Sequence, residues 1–550
     1  MNAQRSNLRR AFAGLSLAVI LAVALAVRLA GVRFGLPALY DPDEPLFMLA
    51  ALKLLRERTL NPGWFGHPGT TTIYGIAVVE VATYLVGHAA GVFPTAAAFI
   101  RAVYLDPGLV WLPARLMIVG CGVACVGLTY LVGRRAFDVR TGLVAAAVLA
   151  INSLHVEWSE IVRTDVHATV FMLLSVLGAI GVVRHGRWRD YLWAGAMVGV
   201  ACATKWPAAT VAAAMVAAAA VRIAAQPEDR RPQLLRLAGG IAAALAALVL
   251  TSPYLLLDYR TVIVDLGGEV AVQHLGATGG TPLENLRWYL AGPLRQAFGY
   301  PALVAAAAGA IIAVRRARLG WVAIVAPAAL FLIMICTQSL VWTRWVVPVL
   351  PFIALAVAVA VIAAVDRLRA SLPVAAAALV TALLAAVVAG PMLLALRDQI
   401  GERQLDTRTE ASAWLIAHTP RGTPVAVEHI AFDLFNAGYP VRFPMGHAGC
   451  QDAMALLTGH MTLAGVGAMR GNVAVADFGT VDPAKRSSCA AHYVVLSHYD
   501  RYLADGTRFS AEIAAYELIR RAGTEVAVFR PVPATVGGPV VRIIRLSPAM

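Results

Sequence analysis

The chain has 550 residues, 59% of them hydrophobic and only 14% charged, with a mean hydropathy of +0.70; a soluble protein would carry about a quarter charged residues. That composition excludes a soluble globular protein and predicts a polytopic α-helical membrane protein. The net charge of +14 is not a nucleic-acid footprint, because the arginines sit in short turns between apolar runs and form no basic stripe with interleaved aromatics.

Residues 11–30 (AFAGLSLAVILAVALAVRLA) match the roughly 20 residues needed to cross a ~30 Å hydrocarbon core. No small-residue cleavage site follows, so the run reads as a retained first span rather than a signal peptide. Further spans are predicted at about 114–133, 141–156, 166–183, 190–203, 208–223, 234–253, 296–314, 319–336, 344–365 and 373–396, for about 11 spans in a domain covering 1–396. Arginine clusters (Arg134, Arg135 and Arg140; Arg184, Arg187 and Arg189; Arg315, Arg316 and Arg318; Arg367 and Arg369) occupy alternate turns, which the positive-inside rule assigns to the cytoplasm. An odd count then puts the N-terminus inside and residues 397–550 outside. The apolar stretch 70–92 would reverse every later loop if it crossed, so it is expected to be a half-entering or interfacial helix within the outer loop 31–113; a second long outer loop is 254–295.

The tail changes character. A capping-box pattern, Thr407 with Glu410, precedes Ala411, Trp414 and Leu415 at helical spacing. β-rich runs follow at 423–428, 492–498, 524–529 and 540–546, with an amphipathic helix near 508–521. Residues 397–550 thus read as an extracytoplasmic α/β domain. Of the six cysteines, only Cys450 and Cys489 lie in it; an oxidising exterior favours their pairing, and no C-x-x-C spacing suggests a metal site.

Charges outside the cytoplasmic turns concentrate at the outer ends of spans: Asp41, Asp43 and Glu44; Arg163 and Asp165; Lys205; Asp258; Arg287 and Arg295; Arg344. Ionisable groups at membrane depth face a cavity or pair with one another, and are functional candidates by default. Interfacial anchoring competes with that reading for Arg287, Trp288, Trp342 and Trp345, whose long side chains reach headgroups. It competes less well for Asp43 and Asp165, which are too short to gain from it. Helix capping accounts for Asp43 alone but not for a second acid at the same level, and Asp41 looks the least needed of the three. The carboxylates suit a general base with its helper, or equally a divalent cation such as Mg²⁺ or Mn²⁺ held by Asp43 and Asp165. Arg163, Lys205, Arg287, Arg295 and Arg344 suit a phosphate.

In order and topology, residues 11–400 resemble the polyprenyl-phosphate-dependent glycosyltransferases of the GT-C type, in particular the protein O-mannosyltransferase and ArnT-like group. The resemblance rests on Asp43-Glu44 after the first span, on the run from Arg115-Leu116 through Gly-Arg-Arg to Asp165, and on ATKWPA at 203–208, which is similar to the family's Thr-Lys-Gly-Pro turn with Trp206 in place of glycine. It implies Asp43 as general base, with Glu44 and Asp165 supporting it or binding a cation. Family members often carry Lys-Pro-Pro where this chain has His67-Pro68-Gly69, so His67, Lys205 or Arg344 would meet the donor phosphate.

The expectation is an inverting glycosyltransferase of the cytoplasmic membrane. Its partners would be the bilayer, a polyprenyl-phosphate-linked sugar and a lipid, glycan or protein acceptor. Rival readings are a transporter or flippase of a lipid-linked or anionic substrate, which would carry midplane charges and repeats, and a non-catalytic membrane assembly protein.

Overall fold

The structure, a computed structural model, describes residues 2–67, 69–268, 273–315, 319–458, 463–471, 473 and 475–547. Pro68, Arg316 and Arg318 lie outside the described residues. The chain opens with α1 (Asn2–Ala30), α2 (Glu44–Glu57), α3 (Thr70–Ala89), α4 (Ala96–Leu105), α5 (Gly108–Ala136), α6 (Val139–Ala150), α7 (Ser153–Ser159), α8 (Thr164–Arg184) and α9 (Trp188–Thr204). A 3₁₀ turn, Trp206–Val211, leads into α10 (Ala212–Ala225), followed by α11 (Arg230–Thr251), the short α12 (Tyr254–Leu257) and α13 (Tyr259–Gly268), α14 (Pro282–Tyr289) and α15 (Arg295–Arg315). Then come α16 (Val322–Cys336), a 3₁₀ segment Thr343–Val349, α17 (Leu350–Ser371) and α18 (Val374–Gln404).

Each predicted span coincides with a helix except 141–156, which falls on the two helices α6 and α7. Among the described residues nine helices are long and apolar enough to cross a membrane, or ten if a bent pair counts as one. The tally differs from the sequence expectation for physical reasons. α9 has 17 residues and α16 has 15, α6 and α7 form the bent pair at 65°, and α3 is an unbroken 20-residue helix that meets the length test.

α17 is buried on most of its surface, from Leu350 through Ala360, and α8 likewise, from Thr164 through Val182; a helix apolar all round belongs in a core. Elsewhere small residues let backbones close. Gly195 and Gly199 of α9 lie against Gly240 and Ala244 of α11 so tightly that a Cβ on either would collide with main-chain atoms, the usual way membrane helices gain packing without a hydrophobic driving force.

The bend between α6 and α7 has a named cause. The Asn152 side chain caps α7 by accepting the His155 N–H (3.0 Å) and donates to the Ala297 carbonyl (3.1 Å). The carbonyls freed at the end of α6, Leu149 and Ala150, accept from the Arg28 guanidinium (3.4 and 3.2 Å), which also meets Ala24 O at 2.8 Å and His155 Nδ1 at 2.9 Å. An arginine wholly buried in the first span is thus spent on satisfying helix ends.

The tail continues with α19 (Thr407–His418), β1 (Val425–Val427), α20 (Phe432–Asn436), β2 (Val441–Pro444), β3 (Cys450–Asp452), α21 (Ala453–Thr458), α22 (Leu463–Arg470), β4 (Tyr493–Leu496), α23 (Tyr499–Leu503), α24 (Ser510–Arg521), β5 (Gly523–Phe529) and β6 (Val541–Leu546). The four predicted strands form; β2 and β3, bracketed by Pro440, Pro444 and Gly449, were not legible as strands. The sheet runs β3-β2-β1-β4-β6-β5, with β1 parallel to β2 and β4 and the remaining pairs antiparallel. Alternation sorts the two faces: Val425, Val427, Val495 and Ile543 pack with Ala411 and Leu415, while Ala426, Val494, Leu496 and Ile544 pack with Tyr499, Tyr502 and Tyr516. Cys450 and Cys489 are joined by a disulfide. The cap of α19 is not Thr407 but Asp406, whose carboxylate accepts the Arg408 N–H at 2.9 Å.

This domain docks on the end of the bundle where the acids lie. Arg408 donates to Tyr40 O (3.2 Å) and stacks over the Tyr40 ring (4.0 Å), Asn436 donates to Leu105 O (2.7 Å), and Arg501 donates to Leu275 O (3.3 Å).

Candidate active site

Five chain segments deliver charge to one end of the bundle. The first leaves α1, turns at Tyr40, and reaches Asp41 through Glu44 at the start of α2. Asp41 Oδ1 accepts the N–H groups of Asp43 (3.0 Å) and Glu44 (3.2 Å), so Asp41, not Asp43, closes the helix start; the Asp43 side chain makes no such cap. Asp41 is therefore more than the spare acid the sequence suggested. Arg163, leading into α8, donates to both of its oxygens at 2.9 and 3.0 Å and with its other nitrogen to Asp43.

Glu44 turns the other way. Its two oxygens take the Arg115 fork of α5 at 2.8 and 2.6 Å, and Oε1 also accepts the Val162 N–H at 2.9 Å. Both side chains are completely buried. A carboxylate so saturated holds the loop rather than meeting a substrate.

Asp165, one residue into α8, pairs with Lys205 at the end of α9, both buried. Arg344, in the 3₁₀ segment before α17, lies 3.6 Å from Asp43 and 4.5 Å over the Trp342 ring. Beside them, the main chain of the 58–69 loop is fastened to the ATKWPA turn: the Trp206 N–H donates to His67 O (3.1 Å) and the Trp206 ring to Phe65 O (3.1 Å). The residue that departs from the family's glycine thus anchors the loop carrying His67.

Exposure separates these groups. The Asp43 side chain is 36% exposed, whereas Arg163, Lys205, Asp165 and Arg344 are at 11% or less. Burial favours the neutral form of Asp43, but Arg163 and Arg344 outweigh it and hold the carboxyl below its ordinary range. Burial, with Lys205 and Arg344 close by, lowers His67 to about 3, so it is a neutral imidazole at physiological pH. The facing charges balance: Asp41, Asp43 and Asp165 against Arg163, Lys205 and Arg344.

Two residues proposed from sequence are not brought in. Arg287 is exposed, and Arg295 is exposed and folds back onto Ala291 O at 2.7 Å. Helix rotation turns both away, which residue type and depth cannot foretell. Two buried cations to which sequence reasoning gave no role are Arg115, noted only as part of the resemblance, and Arg28; a charge inside or at the start of an apolar run was the available signal.

No cluster of three or more His, Cys, Asp and Glu side chains able to hold a metal occurs among the described residues. Asp43 and Asp165 are each met by protein cations, so the donor set does not fit a divalent ion without displacing them.

The sequence profile of the family described as dolichyl-phosphate-mannose-protein mannosyltransferase matches residues 91–257. No curated protein sequence matches the chain. Among solved structures, ArnT from Cupriavidus metallidurans in the apo state is similar at 15% identity and a TM-score of 0.55, covering 96% of this chain and 97% of its own. The same protein bound to undecaprenyl phosphate gives 15% and 0.54 over 97% and 98%. The apo oligosaccharyltransferase of Archaeoglobus fulgidus gives 13% and 0.53 over 98% of this chain and 74% of that one. Over its whole length the chain therefore has the fold of ArnT and of the archaeal oligosaccharyltransferase, and its segment 91–257 fits the mannosyltransferase profile.

Proposed function

We propose that this protein moves a sugar from a polyprenyl-phosphate donor to an acceptor hydroxyl, with inversion, at the outer face of the cytoplasmic membrane. The observation that carries the reading is Asp43: an accessible carboxylate beside buried cations, at one end of a GT-C bundle. Undecaprenyl phosphate is the bound ligand of one similar structure, which supports a lipid-phosphate donor here.

The chemistry follows from the pairing. Arg344 and Lys205 meet the donor phosphate and neutralise the charge that develops on it as the bond to the anomeric carbon breaks. The acceptor oxygen attacks that carbon from the opposite side, Asp43 takes the acceptor proton, and the polyprenyl phosphate leaves. An ion-paired Asp43 is a weak base. A phosphate that draws Arg344 from Asp43 removes one of the two cations holding its proton affinity down, so donor binding itself prepares the base.

Purified protein incubated with radiolabelled polyprenyl-phosphate sugars, with and without Mg²⁺ or Mn²⁺, tests the reading. Donor consumption that disappears in Asp43→Asn is the expected result. Vectorial movement of intact donor, without consumption, would replace the transferase reading with the transporter one.

A further inference from the structure

Behind the Tyr40–Asp43 turn lies a cavity of about 260 Å³, at the seam between bundle and C-terminal domain. Its walls come from three places: the end of α1 and the loop to Tyr40, the end of α18, and α19 with α20. Arg33, Tyr40, Arg403, Gln404, Thr409 and Asp433 line it.

The lining is polar yet electrically balanced. Arg403 has its side chain 8% exposed, stacks on Phe34 at 4.2 Å, and is faced by Glu157 at 3.5 Å and Glu160 at 3.8 Å. Its Nη1 nevertheless has no hydrogen-bond partner among the described residues. Arg33 and Asp433 add one charge of each sign to the lining. A cation already matched by carboxylates has little to offer an anion. What remains is a set of donors (guanidinium, amide) and acceptors (carboxylate, amide, hydroxyl) with an aromatic wall, the complement of a neutral molecule rich in hydroxyl groups.

We propose that this cavity binds a saccharide unit of the acceptor. The idea rests on the transferase reading above and sharpens it: the acceptor is a glycan or glycoconjugate, and the docked C-terminal domain supplies half of its subsite. Tyr40 is the shared wall. Its hydroxyl meets Thr409 Oγ1 at 2.9 Å and its carbonyl accepts from Arg408, so a saccharide beside it sits next to the turn that presents Asp43. The cavity is assembled only when the two domains meet, which couples acceptor binding to their docking.

Saturation-transfer NMR on the detergent-solubilised full chain, with lactose, mannobiose and chitobiose as probes, tests the proposal. Transfer to at least one disaccharide at millimolar concentration is expected. Thr409→Trp, an exposed position whose larger side chain fills the cavity, is expected to weaken it by at least about tenfold at an unchanged thermal midpoint. Asp433→Ala provides a second variant with the same expected loss. No transfer to any of the three sugars, wild-type binding in Thr409→Trp, or a loss confined to inorganic phosphate or to anionic vesicles would each overturn it. Saccharide binding is read without turnover, so its failure is distinct from that of the transferase reading, which shows as absent donor consumption.

Discussion

Arg115 and Glu44, 71 residues apart in sequence, form a bidentate ion pair with both side chains fully buried. The pair ties the start of α2 to α5, and so sets the position of Asp43 without touching solvent. Breaking such a pair on one side strands a buried charge at about 3–5 kcal/mol. Glu44→Ala is therefore expected to lower the thermal midpoint sharply, and Glu44→Met with Arg115→Met to recover most of that loss. A single Glu44 variant with wild-type melting and no transfer would instead return Glu44 to a role in chemistry.

Asp43 behaves oppositely. Its side chain is partly exposed and its partners are shared, so Asp43→Asn should fold normally. Loss of a general base costs about 10²–10⁴ in rate. The drop should appear in kcat and not in donor affinity, measured by single-turnover transfer and by equilibrium donor binding. Equal turnover in the variant would remove Asp43 from the mechanism.

Lys205 and Asp165 carry a structural and a chemical load at once, since they pair within the buried end of the bundle. Lys205→Met leaves Asp165 unmatched and should melt earlier than Lys205→Met with Asp165→Asn. Neither variant is expected to consume donor, because the phosphate loses a cation in both. A double variant that folds and transfers would leave the pair with packing alone.

His429 of the C-terminal domain lies edge-on to Tyr40 at 5.7 Å, and neither ring nitrogen has a hydrogen-bond partner among the described residues. Burial, then Arg408, lowers it to about 3, against an unfolded value of about 6.5. Between those values the unfolded chain binds a proton that the folded chain refuses, so stability is complete above the unfolded value and falls as pH drops. The loss at pH 5 is about 2 kcal/mol. Thermal melts of wild type and His429→Gln between pH 7 and 5 should show a shallower slope in the variant; parallel slopes would mean the histidine takes up its proton freely.

Much of the architecture is written in local pattern. Hydropathy located eight of the nine helices that are long and apolar enough to span, because a run of about 20 apolar residues has few other uses, whereas α3, the ninth, reads from sequence as only half-entering the membrane. β-rich composition located β1, β4, β5 and β6, and in β1, β4 and β6 the faces divide by alternation. Charge at the ends of those runs brought Asp43, Arg163, Asp165, Lys205 and Arg344 to notice. Residue type and depth alone marked Arg287 and Arg295 equally, yet helix rotation leaves them exposed.

What only the tertiary structure decided is which carboxylate faces open space. Glu44 follows Asp43 directly, yet it is saturated by Arg115 and the Val162 N–H, while Arg163, over 120 positions away, takes up Asp41 and leaves Asp43 partly uncovered. Such pairings join residues that no local period relates. By itself the sequence determined a greasy bundle with acid and base at one end and a sheet domain after it. Packing determined the rest, since desolvation allows a buried charge only where a partner from another segment meets it.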